Sequence, residues 1–537
     1  MSLSVSSPVY VAEVPAPSEP LSADPLAMLQ TERSKYQPLF FLVPFLVAAV
    51  SWVAGGIALL TDFAWLLITT LCVVFLLAEL RAFSFRWGIG GLLVFGGVLI
   101  WFCYDYFDNW FLRTFRFPEA SYLVPEETLA RATMWHAAFI PCMLLGMRIR
   151  LGGKVERLLA RYPEPEKGSL YLFLILVLFA IGMSPYFIFV DEPFYMAIWN
   201  EFLGGRAGGA LWTVGRTGNV NYSFGAYVAQ ILQVGAFASV LGAFYAICVA
   251  RTWVGRAIGL AIWAPAAALG FGTGTRGSLV LVALPLVGFL FLRYQAQAAA
   301  ILRRVSLRAY LGLAATLIGL LILVQIQATF RDAGFRKTDW ERVEVTRLKG
   351  NMMFSESLQG FELIPKHQAP FYDNFPGEAI VRPIPDAIYW FFVSPIPRAI
   401  WTDKPIDPVW VWYNRVVAGT GVEGTTISHG AVGYWYFRYG FWGVLQGGLF
   451  IGFLMGVTER LLRDYAVYKP ILIVVSLALA TFLFRAYRGL QWVELHATLV
   501  GLAALAVAIL VLRPFFNVSP QPLPPPASSA PPAPAAG

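Results

Sequence analysis

Arginine carries most of the chemistry open to this chain. Arg276, Arg398, Arg438, Arg485 and Arg488 fall near the ends of apolar runs or in the long segment between two of them. A fixed guanidinium there can hold an anion through charge-assisted hydrogen bonds and stabilise charge developing on a leaving group. Arg276 sits in Phe271-Gly-Thr-Gly-Thr-Arg-Gly-Ser278, where Gly272, Gly274 and Gly277 have G-x-G-x-x-G spacing. A dinucleotide site needs that fingerprint after a strand in a βαβ unit. Here it joins two apolar runs, which places Arg276 at a helix mouth that favours anions, or snorkelling to lipid headgroups. Arg398 lies in Ser394-Pro-Ile-Pro-Arg-Ala-Ile-Trp-Thr-Asp-Lys-Pro405, stiffened by three prolines. With Trp401 and Lys404 it suits an anionic, sugar-bearing ligand; the alternative pairs it with Asp403.

His429 stands in Gly424-Thr-Thr-Ile-Ser-His-Gly-Ala-Val-Gly-Tyr-Trp-Tyr-Phe-Arg-Tyr-Gly440, at the mouth of a late apolar run. It could act as a general base or bind a substrate hydroxyl, or be structural. Tyr434, Trp435 and Tyr436 offer platforms for sugar rings. Arg438 lies one turn deeper, where a charge is costly and faces a bundle interior. Phe484-Arg-Ala-Tyr-Arg-Gly-Leu-Gln-Trp492 reads as a tight turn between the last two runs. On a helical turn Arg485 and Arg488 share a face. They repel unless an anion such as a pyrophosphate lies between them, or Glu494 neutralises one. The four histidines, His136, His367, His429 and His496, form no metal-ligand spacing; no metal or other cofactor is expected.

The elements that must position these groups are membrane helices. The 537 residues are 58% hydrophobic and 13% charged, with a mean hydropathy of +0.63, against roughly a quarter charged in soluble domains. Apolar runs fall at 39–60, 63–80, 87–107, 128–148, 170–190, 221–249, 254–271, 277–294, 309–328, 431–457, 469–485 and 490–512. A hydrocarbon core of about 30 Å takes some 20 helical residues to cross, and its dryness forces each backbone to satisfy itself as helix. The fold class is all-α, a polytopic bundle of about twelve spans.

Every second connection is basic. Arg33 and Lys35 precede the first run; Arg81 and Arg86 follow the second; Arg148, Arg150, Lys154, Arg157, Arg161 and Lys167 follow the fourth. Arg251 and Arg256, Arg303 and Arg304, then Arg460, Arg463 and Lys469 continue the series. The intervening loop 105–127 is acidic, with Asp105, Asp108, Glu119, Glu126 and Glu127. The positive-inside rule puts both termini in the cytoplasm and all the candidate site arginines on the opposite side. The organisation is then a Pro/Ser-rich disordered segment at 1–38 with no cleavable signal peptide, spans over 39–328, a large external loop at 329–430, spans over 431–512, and a Pro/Ala-rich cytoplasmic tail at 513–537. Residues 191–220 form a second long external connection, and 384–401 dips back to the bilayer as a short interfacial helix. Cys72, Cys103, Cys142 and Cys248 read as packed hydrophobes without disulfides. The net charge of +8 lies between spans rather than on one face, so nucleic acid is not a partner.

The combination of TRGSL at 275–279, PIPRAIWTDKP at 395–405, TTISHGAVGYWYFRYGFWG at 425–443 and RAYRG at 485–489 resembles the Wzy-type oligosaccharide repeat-unit polymerases of O-antigen and exopolysaccharide synthesis. The resemblance covers about 39–512. It implies a GT-C-like glycosyltransferase, inverting and metal-independent, at the periplasmic face of a bacterial inner membrane. Undecaprenyl-pyrophosphate-linked oligosaccharides would be donor and acceptor, with a chain-length regulator and a flippase as protein partners. It further implies that Arg276, Arg398, Arg485 and Arg488 bind the diphosphate, while His429 orients or deprotonates the acceptor hydroxyl. Some members carry Arg followed eleven residues later by Gly in two external loops; the external arginines here do not have that spacing. Competing readings are an O-antigen ligase using the same donor, a polysaccharide or lipid transporter without chemistry, and an exosortase-like peptidase built on Cys103.

Overall fold

A computed structural model describes residues 98, 126–149, 151, 153–165, 168–204, 225–272, 282–283, 285–290, 326, 334–338, 392–393, 396, 400–403, 430–466, 469–488 and 492–516. The runs at 39–60, 63–80 and nearly all of 87–107 and 309–328 lie outside these, as do the N-terminal segment, most of the C-terminal tail and most of 329–430.

The described residues are helical, with no strand among them. Helix α1 is Glu126–Arg148, α2 Lys154–Ala160, α3 Gly168–Phe189, α4 Phe194–Gly204 and α5 Gly225–Phe244, which runs into a π-helical turn at Tyr245–Val249. Then come α6 (Trp253–Gly272), α7 (Gly430–Asp464), α8 (Ile471–Arg488) and α9 (Trp492–Leu512), closed by a 3-10 turn at Arg513–Phe516. Five segments are long and apolar enough to cross a membrane: Gly168–Ile188, Ile231–Val249, Trp253–Gly272, Trp442–Leu462 and Thr498–Phe515; Ile471–Tyr487 is a shorter apolar helix. Helix α1 carries Glu126, Glu127 and Arg131 in its first turns and is not one of the five.

Lipid tails give helices no hydrophobic reason to associate, so close backbone contact must do so. Along α7, Gly448, Gly452 and Gly456 recur every fourth residue and lie against Phe139, Met143 and Met147 of α1. A Cβ placed on Gly452 would fall 1.9 Å from the Met143 carbonyl oxygen, so only hydrogen fits. Helices α3 and α5 cross in the same way, Gly182 against Gly235. Below that crossing, Tyr171, Leu174, Leu241, Phe244, Phe289, Leu472 and Leu505 join α3, α5, α8, α9 and 285–290 in one core.

Two features depart from the sequence reading. The run expected at 431–457 is a longer helix bent at Gly440, whose φ of 60° and ψ of −141° no side-chain-bearing residue adopts comfortably. The connection after α3 contains helix α4, started by Pro193, whose carbonyl accepts the N–H groups of Met196 and Ala197 at 2.8 and 3.0 Å.

One end of the bundle brings together two of the basic connections, those after α1 and α7. Arg460 pairs with Glu156 and donates to the Met147 and Ile149 carbonyls at 2.9 and 3.2 Å, closing the C-terminus of α1. Lys469 does the same for α2, donating to Ala160 O at 2.9 Å. The other end holds α4, Tyr186 and Gly272.

Candidate functional site

Three helices and a short stretch converge on a cavity of about 50 Å³, lined by Gln233, Phe237, Val282, Thr481, Arg485 and Thr498 among others. Helical spacing produces the convergence. Gln233 and Phe237 are four apart on α5, and Thr481 and Arg485 four apart on α8, so each pair shares a face. Thr498 faces them from α9. The 282–290 wall is held by Trp263 of α6, whose Nε1 donates to the Val282 carbonyl at 3.1 Å. Gly501 lets α9 close on α5, since a Cβ there would meet the Phe237 ring at 2.4 Å.

Arg485 is half-buried in this wall. A guanidinium presents five N–H donors and no acceptor, and the apolar lining of Ala236, Val240 and Pro285 strengthens its field on anything inside. Gln233 adds an amide that both donates and accepts. The Thr481 hydroxyl donates to the Leu477 carbonyl at 2.7 Å, and its oxygen retains the capacity to accept. A cavity of this volume has room for water or a small polar group beside Arg485. A charge within a spanning bundle is costly and marks a binding or transport path more often than packing.

Of the residues named from sequence, Arg276, Arg398, Lys404 and His429 lie outside the described residues. Arg485 and Arg488 belong to the last turn of α8 and not to a turn beginning at Phe484, because nothing breaks the helix before Gly489. Arg438 lies on α7 in the stretch before its bend. Trp401 is half-buried beside exposed Ile400. Tyr434 and Tyr436 are buried: Tyr436 packs on Trp135 of α1 at 5.3 Å between ring centroids and Tyr434 stands edge-on to Trp435 at 5.9 Å, so neither presents an open face for a sugar.

Gln233, Thr481 and Thr498 were not singled out from sequence. Their signal was a polar side chain inside an apolar run, which also describes His136. That histidine is buried, with Nδ1 donating to its own helix at Ala132 O, 2.8 Å away. No group of three or more potential metal ligands occurs among the described residues.

Among the described residues, fold and site define a helical bundle with five helices long and apolar enough to cross a membrane, and Arg485 set into a small, part-polar cavity between helices. No protein-family model matches the chain, and no curated protein or solved structure matches it.

Proposed function

We propose that this chain is a glycosyltransferase that polymerises undecaprenyl-pyrophosphate-linked oligosaccharide repeat units, with about twelve spans in a GT-C-like arrangement and its chemistry at the periplasmic face of a bacterial inner membrane. The observation that carries the reading is Arg485, at the end of the apolar helix α8, where it lines a small cavity between helices. The gathering of Arg460, Lys469 and the loop after α1 at the opposite end supports a cytoplasmic placement of that end.

In the reaction proposed, the acceptor's terminal hydroxyl oxygen attacks the anomeric carbon of the donor glycan. The new glycosidic C–O bond forms as the bond to the pyrophosphate breaks, and configuration inverts. The hydroxyl proton passes to a base, for which His429 is the candidate. The departing diphosphate takes the bonding electrons, and its charge is met by Arg485, joined in this reading by Arg276, Arg398 and Arg488. Guanidiniums aimed where charge develops supply this without reorganising.

The test is complementation of a deletion strain, read by glycan length and by the lipid-linked pool. Loss of the gene should remove long chains and leave single repeats on the lipid. Arg485→Ala should do the same at normal membrane levels, with rate falling about 10²–10³-fold as for removal of one charge-stabilising donor. Full chain length with Arg485→Ala overturns the role of the cavity; unaltered glycan in the deletion strain overturns polymerisation itself. Polymer that is made but left unattached to lipid A core would identify a ligase instead.

A further inference from the structure

Helix α4 poses a question that the proposed reaction does not answer. It folds back across the terminal turns of two membrane-crossing helices. Its Ala197 and Ile198 are buried against Met183 and Tyr186 of α3, with Ala268 and Leu269 of α6 beside them. Phe194 stacks on Phe187 of α3 at 4.9 Å. At the other end Phe202 stacks on Phe271 of α6 at 5.9 Å, and a Cβ on Gly272 would come within 2.4 Å of the Phe202 Cα. The helix therefore lies at the depth of the last turns of both spans and does not stand beyond them.

Its outward face is apolar and uncovered by the described residues. Tyr195, Met196 and Trp199 are 72%, 47% and 57% exposed, and their spacing puts them on one side of the helix. The patch is continuous with the wall of α3, where Phe187 and Ile188 are 62% and 68% exposed on a helix that crosses the membrane. The Phe187–Phe194 stack is the seam between the two. Polar groups keep to another edge: Asn200 donates to Glu192 at 2.7 Å and accepts from Arg336 at 3.3 Å, and Glu201 accepts from the Tyr186 hydroxyl at 2.5 Å, towards α3. Tyrosine, tryptophan and methionine without an intervening charge suit a boundary that is apolar on one side and wet on the other.

We infer that α4 is an interfacial helix whose Tyr195–Met196–Trp199 face is seated in the phospholipid bilayer, at the junction of acyl chains and headgroups. The partner is the lipid itself, continuous with the lipid around α3. The inference needs only the membrane setting and stands whatever reaction the chain performs. Seated this way, α4 fixes how deep the ends of α3 and α6 sit.

The test uses the full chain in nanodiscs of phosphatidylethanolamine and phosphatidylglycerol. Nitroxide labels at Met196→Cys, Trp199→Cys and Asp191→Cys, with native cysteines replaced, are read by collision with oxygen and with a water-soluble nickel chelate. The labels at 196 and 199 should be severalfold richer in oxygen contact than in nickel contact, and the label at 191 the reverse. Nickel contact at 196 and 199 equal to that at 191 would mean a face open to water and overturn the inference. Exclusion of both reagents at 196 and 199 would mean a protein cover and overturn it too. If the cysteine-free chain fails to assemble, benzoylphenylalanine at Met196 in the native background replaces it: photolysis should add the mass of a phospholipid, and adducts confined to protein or water would be the overturning result.

Discussion

Gln233, Thr481 and Thr498 bring polar groups to the cavity that Arg485 lines. A polar residue inside an apolar run looks the same in sequence whether it bonds its own helix, as His136 does, or lines a cavity, as Gln233 does. Only the crossing of α5, α8 and α9 distinguishes them. Hydrogen bonds to a charged group are worth about 1.5–3 kcal/mol, and each 1.4 kcal/mol is about tenfold in rate. In the reaction proposed, Thr498→Val and Gln233→Leu should therefore slow chain extension roughly tenfold to a hundredfold with unchanged protein levels, measured as repeat units added per unit time. A different residue governs acid response. Burial holds the Glu201 carboxyl above its ordinary value, an effect only partly offset by the hydrogen bond from Tyr186. The folded chain thus keeps a proton there that the unfolded chain has released. Stability from this group is complete below the ordinary carboxylate range and declines as pH rises towards the raised value. Melting temperature measured across that window should fall with pH, and Glu201→Gln should flatten the fall.

At the scale of helices, 128–148, 170–190, 221–249, 254–271, 469–485 and 490–512 emerge from sequence because lipid leaves an apolar run no alternative, and the structure has helices at each. What the runs do not contain is the departure from a straight rod. Gly440 is one of many glycines in its stretch, and nothing marks it as the residue with φ of 60°. Gly440→Ala should cost about 1–3 kcal/mol as backbone strain, seen as a lower melting temperature in detergent. Helix α4 escaped for another reason: eleven residues are too short for a span, and Asp191, Glu192 and Pro193 ahead of them look like loop. The buried pair of Glu156 and Arg460 also reads in sequence as two ordinary loop charges. Arg460→Met leaves a buried carboxylate without its cation and the α1 carbonyls without donors, a loss of about 3–5 kcal/mol. Adding Glu156→Leu should recover much of it, a reversal visible in paired thermal melts.

For the molecule as a whole, two of the basic connections meet at one end among the described residues. Met147, Ile149, Glu156, Ala160, Arg460 and Lys469 lie there together. Fluorescent-protein fusions to both termini should glow and alkaline phosphatase fusions there should be inactive, since both ends are proposed to be cytoplasmic. The glycine stripe of α7 carries a consequence of its own. It joins α7 to α1, helices from distant parts of the chain, through main-chain contact at Phe139, Met143 and Met147. Such a union does not depend on the covalent thread between them. Expressed as two separate polypeptides divided within 329–430, the halves should find each other in the bilayer and copurify from mild detergent through a tag on either one. Gly452→Leu should leave each half inserted and markedly lower the amount that copurifies.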